Sequence, residues 1–277
     1  MSSAVSPVWV GIVDDASIFP PGNVGFHDAL SAHHARDDDG FVGSFVLTDT
    51  ELPLARGARA RLSVVLTGGA GQVAGPLGLG RRLGLQIAGV EIALRDPDDL
   101  PGNARRVVAA LDAARDEGVL DDDLTVSVEL PQISPTPGWL AAADVVAESE
   151  LRLKFRTGGL EAHLFPSPTV LAEWIEAALD RETPFKCTAG LHHAVAHTDP
   201  ETGFAHHGFL NVLLAARASL DGDDVVGVLA ERDAEALTTR FRDLGVDTMA
   251  RTRTWFTSFG SCSVSEPRDD LAALGLL

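Results

Sequence analysis

Two lysines, Lys154 and Lys186, stand against twenty arginines. Arginine stays charged at any working pH, whereas a buried lysine can give up its proton and act as a nucleophile or base. A coding bias toward arginine leaves lysine where its chemistry is needed. Each lysine lies near the end of a short apolar run and precedes a small-residue turn. The runs are Leu151-Arg152-Leu153-Lys154-Phe155-Arg156-Thr157-Gly158-Gly159 and Pro184-Phe185-Lys186-Cys187-Thr188-Ala189-Gly190. Both read as buried strands, which argues against two leftover surface lysines. Side chains alternate along a strand, so Arg152, Lys154 and Arg156 share one face, and so do Lys186 and Thr188. Neighbouring strands lie about 5 Å apart, so two inward ammonium groups on adjacent strands would approach closely. Their repulsion and desolvation would push a lysine pKa toward neutrality. A neutral lysine can attack a carbonyl carbon and form a Schiff base.

Carboxylates accompany them. Glu91 sits inside Gly89-Val90-Glu91-Ile92-Ala93-Leu94, and Glu129 closes Val126-Ser127-Val128-Glu129-Leu130. An acid inside an apolar strand needs a partner or a function: a structural ion pair or a proton shuttle. Asp14, Asp15 and Asp49 read as rim acids or turn caps at strand ends. Five of nine histidines fall between His192 and His207: His192, His193, His197, His206 and His207. They could ligate a metal, but no HExxH is present and adjacent His pairs rarely share one ion. A substrate-binding or acid–base role is the preferred expectation, with no metal or other cofactor. Cys262 has no recognisable base, and Cys187, next to Lys186, should point away from it.

The elements that must position these groups alternate in type. Eight strands are expected at Val8–Val13, Val42–Leu47, Arg61–Leu66, Gly89–Leu94, Leu124–Leu130, Leu151–Phe155, Pro184–Cys187 and Thr254–Ser258. Helices are clearest at Asn103–Glu117, Pro137–Ala147, Pro168–Leu179, Phe209–Leu220 and Asp233–Leu244. Pro137 and Pro168 suit a first helical turn. The glycine-rich stretch from Gly68 to Gly84 makes the third unit the least marked. Strands alternating with helices imply a parallel sheet, and 277 residues fit one closed (β/α)8 (TIM) barrel domain spanning 1–277. An open doubly wound sheet is the alternative, but no GxGxxG joins an early strand to a helix. Barrel chemistry belongs at the C-terminal ends of the strands. After the last one, Thr257-Ser258-Phe259-Gly260-Ser261-Cys262-Ser263 reads as a loop whose free N–H groups could cradle an anion.

Composition narrows the partners. The formal net charge is -18, which disfavours nucleic acid and anionic membranes. No apolar run reaches membrane-spanning length, and the N-terminus lacks a signal-peptide pattern, so a cytoplasmic protein is expected. An anionic substrate would need a local cluster of arginine or backbone N–H groups. The chemistry is also compatible with a homo-oligomer.

Three segments carry a resemblance, covering about two dozen residues. Lys154-Phe155-Arg156-Thr157-Gly158 resembles the Lys-x-x-Thr-Gly motif of deoxyribose-phosphate aldolases. Lys186-Cys187-Thr188-Ala189-Gly190-Leu191-His192 is similar to that family's Lys-Ala-small-Gly-Gly-Ile-Arg. Val90-Glu91-Ile92 falls where the family has Val-Asp-Val. The resemblance implies a class I aldolase on a (β/α)8 barrel. In it Lys154 matches the Schiff-base lysine, Lys186 the second lysine and Glu91 the proton-relay aspartate. Three departures stand out: Arg156 replaces a small residue, Glu91 is longer than Asp, and His192 stands where the family has Arg near the phosphate. They point to a related enzyme with a different substrate.

The sequence therefore reads as an aldolase-like lyase acting on a small carbonyl compound with a phosphate or carboxylate. Lys154, Lys186, Glu91 and Glu129 form its catalytic set. Arg156, Thr157, Gly158, Thr188, Gly190, His192, His193, Ser258, Gly260 and Ser261 are the candidate substrate contacts. A metal-assisted enzyme using the histidine cluster with Glu129 or Asp14 is one alternative. A non-catalytic barrel that binds a small anion or a partner is the other.

Overall fold

A computed structural model describes residues 5–36 and 40–277. Its strands are β1 (Val13–Asp15), β2 (Val42–Thr48), β3 (Arg61–Val65), β4 (Gln86–Ala93), β5 (Thr125–Glu129), β6 (Arg152–Arg156), β7 (Phe185–Thr188), β8 (His197–Thr198), β9 (Ala205–His206) and β10 (Phe256–Ser261). Eight of them close a parallel barrel in the order β1-β2-β3-β4-β5-β6-β7-β10, and β10 pairs with β1. The short β8 and β9 form an antiparallel hairpin in the connection after β7. The fold is the expected (β/α)8 barrel.

The helices are α1 (Phe26–Ala35), α2 (Ala74–Arg82), α3 (Leu100–Asp116), α4 (Pro137–Glu148), α5 (Pro168–Leu179), α6 (Phe209–Asp221), α7 (Val225–Ala230), α8 (Ala234–Leu244), α9 (Val246–Thr252) and α10 (Ser265–Ala273). Their starts follow capping chemistry. Thr136 and Ser167 accept a backbone N–H at the starts of α4 and α5, just before Pro137 and Pro168. Asp99 caps α3 through Gly102 N, so that helix begins three residues before its expected start. On α3, Leu100, Ala104, Val107, Leu111 and Ala114 recur at helical spacing and are buried.

The barrel wall has two faces. Outward residues are apolar and buried under the helices: Phe45 and Leu47, Leu62 and Val64, Val90 and Ile92, Val126 and Val128, Leu153 and Phe155, Phe185 and Cys187. The inner face differs from the packed Val, Ile and Leu layers usual in such barrels. Every barrel strand sends at least one polar side chain inward, among them Asp14, Ser44, Ser63, Glu91, Ser127, Lys154, Lys186 and Ser258.

Three strands depart from the expectation by more than one residue: β1, β10 and β4, which begins at Gln86 and not at Gly89. β1 starts at Val13, because Ser6 to Ile12 is spent in turns and Gly11 holds a left-handed φ of 59°. Val8 and Trp9 are still buried; Trp9 stacks on Phe241 at 5.4 Å. β10 starts at Phe256, two residues late, because α9 and the turn after it take the chain to Trp255. It then runs on to Ser261. Thus Ser258, Gly260 and Ser261 lie within a strand, not in a loop after it. Gly260 and Ser261 pair with Asp14 and Asp15. A free N–H cradle at Ser258 to Ser261 is therefore corrected to a sheet position.

Candidate active site

Register places the two lysines side by side: Lys154 on β6 pairs with Lys186 on β7, and Glu129 on β5 pairs with Lys154. Glu91 on β4 stands between the ammonium groups. Its Oε2 lies 2.6 Å from Lys154 Nζ, and its Oε1 accepts from Lys186 Nζ at 2.7 Å. Lys154 also meets Glu129 Oε2 at 2.8 Å, and Lys186 donates to Asp14 Oδ2 at 2.7 Å. Arg156 Nε donates to Glu129 Oε1 at 3.1 Å. Ser44 Oγ and Ser258 Oγ complete Asp14, each at 2.7 Å. The result is one chain of alternating charge, Arg156–Glu129–Lys154–Glu91–Lys186–Asp14, buried from Lys154 to Asp14.

This arrangement reverses the expected electrostatics. Burial works against the Lys154 ammonium, but Glu91 and Glu129 outweigh it and hold its pKa above the ordinary lysine value. Burial likewise opposes the charge on Lys186, and Asp14 and Glu91 hold its pKa above the ordinary value too. Burial would lift the Glu91 carboxyl, yet the two lysines keep it far below the usual carboxylate range. Glu129 is lowered in the same way by Lys154 and Arg156 against its burial. The lysines do not lower each other toward neutrality because a carboxylate intervenes. Burying so many charges is costly, and such clusters are weak stabilisers, so their presence points to function.

The cluster separates two cavities. The upper one, at the C-terminal ends of the strands, measures about 520 Å³. Lys154, Glu91, Glu129 and Arg156 form its polar floor, and its walls include Phe19, Pro21, Val65, Leu160 and Phe165. The lower chamber, about 180 Å³, lies at the strands' N-terminal ends and is lined by Asp14, Lys186 and Glu91 with serines. Glu91 alone of the ionic chain lines both.

Other sequence-predicted residues divide between cavity and scaffold. Thr188, Gly190, His192 and Gly260 line the upper cavity. Thr157 is fully buried and donates to the Ala189 carbonyl at 2.6 Å, so it ties β6 to the turn after β7. Gly158 belongs to the same tie; a Cβ there would stand 2.8 Å from Gly190 Cα. Ser258 lines the lower chamber, and Ser261 is buried. Cys187 packs outward with its thiol pKa raised by burial.

His193, His197 and His206 stay together, with ring centroids 4.8 Å and 5.1 Å apart in turn, whereas His192 and His207 turn to other partners. His192 Nδ1 lies 2.9 Å from Glu266, with Cys262 Sγ 3.5 Å from its Nε2. His193 meets Asp270, outside the cavity lining, and His207 meets the Pro166 carbonyl. His206 lines the cavity, its ring tilted against Phe165 with centroids 4.5 Å apart. Among the described residues no group of three His, Cys, Asp or Glu side chains converges as metal ligands would.

Sequence reasoning missed the inner serines Ser44, Ser63 and Ser127, and it placed Asp14 at the rim. The signal was present: each serine interrupts an apolar strand at an inward position, in Gly-Ser-Phe, Leu-Ser-Val and Val-Ser-Val. Arg95 and Cys262, which also line the upper cavity, come from segments at or beyond strand ends that carry no comparable pattern.

No family model matches the sequence. No curated protein matches it either. Solved structures do match in fold. A tetrameric deoxyribose-phosphate aldolase from Aeropyrum pernix aligns with a TM-score of 0.56 at 11% identity, covering 97% of this chain and 93% of that one. A Coccidioides immitis structure named for the same activity aligns with a TM-score of 0.53 at 10% identity, covering 98% and 88%. At such identity the likeness establishes the barrel fold.

Proposed function

We propose that this chain is a class I aldolase-like lyase, a single barrel domain that forms a Schiff base between Lys154 and a small carbonyl substrate. The observation that carries this is the position of Lys154. It is a buried lysine at the floor of the upper cavity, touching two carboxylates and register-paired with a second lysine. The barrel shared with deoxyribose-phosphate aldolases and the Lys-x-x-Thr-Gly segment support the same reading.

In the resting protein Lys154 is an ammonium. Attack requires its proton to pass to Glu91 or Glu129, both already within hydrogen-bond distance. The neutral amine adds to the carbonyl carbon, and loss of water gives the imine. The imine draws electrons from the neighbouring carbon, so that a C–C bond there can break or form. Glu129 or Glu91 returns the proton. Lys186 keeps Glu91 ionised and oriented. Arg156 and Arg95 offer positive charge to a phosphate or carboxylate, and the apolar wall accepts the carbon skeleton. A homo-oligomer fits this reading, since the Aeropyrum pernix protein is a tetramer. Among the described residues no helix is long and apolar enough to cross a membrane.

The test is borohydride trapping with a panel of short aldehydes and ketones, read by intact mass and peptide mapping. The reading expects one reduced adduct on Lys154, lost in Lys154→Arg. An adduct on Lys186 reverses the two roles, and no adduct with any carbonyl ends the reading.

A further inference from the structure

The lower chamber has no part in holding a substrate above the cluster, yet it is built of polar groups. Ser44, Ser63, Ser127, Thr125 and Ser258 line it, with Gly43 and Gly89 leaving room between strands. Arg152 reaches into it, and the exposed Arg61 stands at its edge. Apolar layers normally fill this end of a barrel. A polar chamber of about 180 Å³ is roomy enough for water, and its hydroxyls and charges supply the partners that water needs.

Its upper boundary is the ionic chain. Lys154 faces the upper cavity, Lys186 and Asp14 face the lower chamber, and Glu91 faces both while bonding each lysine. Below them Asp14 Oδ1 accepts from Ser44 Oγ at 2.7 Å, and Ser44 Oγ lies 2.7 Å from Ser63 Oγ. Hydrogen-bonded contacts thus run unbroken from the upper cavity floor to the lower chamber.

We propose that the lower chamber is a proton port, through which the cluster exchanges protons with solvent at the N-terminal end of the barrel while substrate fills the other end. The inference rests on Lys154 as the Schiff-base nucleophile. The steps balance. Lys154 gives its proton to Glu91, leaving a neutral amine and a carboxylic acid. Lys186 gives a proton to chamber water, and Glu91 then passes its own to Lys186. The net change is one proton moved from Lys154 to the lower chamber, with Glu91 and Lys186 restored. The reverse sequence supplies a proton when the imine is hydrolysed. A bound substrate covers Lys154, whose side chain is already only 4% exposed, so the route through the floor stays open when the route from above is shut.

The test fills the chamber without touching the upper cavity. Ser127→Leu and Ser63→Leu are compared with the unaltered protein, using propanal and acetone as probes. Quenched borohydride trapping gives the rate of imine formation in H2O and in D2O. Blocking a proton-transfer step is expected to slow imine formation by about tenfold or more. It should also raise the solvent deuterium isotope effect and leave the dependence on probe concentration unchanged. Melting temperature verifies folding. Thr125→Leu, at the chamber's outer part, gives the same readout should the two core variants fail to fold. A folded variant with unchanged rate and isotope effect overturns the port while leaving the Schiff-base reading intact. Absence of any adduct in the unaltered protein overturns both.

Discussion

Glu129→Gln tests whether carboxylates set the protonation of Lys154. Glu129 Oε2 is 2.8 Å from Lys154 Nζ, and its side chain is 15% exposed. Unit charges at that distance, with an effective dielectric of about 20, interact by about 6 kcal/mol. At about 1.4 kcal/mol per pKa unit this sets a ceiling of roughly four units. Partial exposure screens the pair, and glutamine keeps an oxygen that can accept the same hydrogen bond. Losing Glu129 also leaves Arg156 unneutralised, which acts in the same direction. We therefore expect the Lys154 pKa to fall by roughly one to two units. Imine formation requires the neutral amine, so its rate rises with pH through that pKa. In Glu129→Gln the rise should occur at lower pH. The assay is the initial rate of borohydride-trapped adduct, measured by mass across the pH range. Comparing the midpoint rather than the plateau separates this effect from any loss of Glu129 as a proton acceptor. An unchanged or higher midpoint would refute the reasoning that Glu129 holds Lys154 protonated.

Lys186→Met should cost about 3–5 kcal/mol in chemical denaturation, since Asp14 and Glu91 lose a buried counter-charge. Its adduct should stay on Lys154 and form at higher pH, because Glu91 then serves Lys154 alone. The acid limb of stability should follow Asp15, Glu91 and Glu129, whose folded pKa values are all depressed. Their contribution is present above the unfolded value of about 4 and lost as pH falls toward the folded ones, so melting temperature should drop with acidification. Glu91→Gln should flatten that slope, and an unchanged slope would remove Glu91 from the account. Gly158→Ala should destabilise by about 1–3 kcal/mol, because the new methyl meets Gly190 Cα at 2.8 Å and Phe165 Cε1 at 2.9 Å; urea unfolding reads it directly. Prolonged chelation should leave adduct formation unchanged, and a stoichiometric metal in elemental analysis whose removal abolishes the adduct would contradict this.

Local chemistry in the chain is enough to specify much of this protein. The alternation of β-rich runs and capped helices, with Pro137 and Pro168 opening two of them, is written in residues close together, and it implies the barrel. Strand periodicity puts Lys154 and Lys186 on an inner face, since a one-residue change of register would send them among Leu153, Phe155 and Cys187 in the apolar outer layer. Boundaries that depend on distant packing were not legible. Val8 and Trp9 look like strand residues, but they lie in a turn, where Trp9 stacks on Phe241 from a distant part of the chain. The electrostatics lay still further out of reach. Asp14 and Lys186 are 172 residues apart, and Glu91 and Lys186 are 95 apart. Whether two lysines repel or share a carboxylate depends on which strands closure makes neighbours and where their side chains meet inside. Barrel closure made that choice, and it holds Lys154, the lysine expected to give up its proton, as an ammonium in a charge-balanced chain.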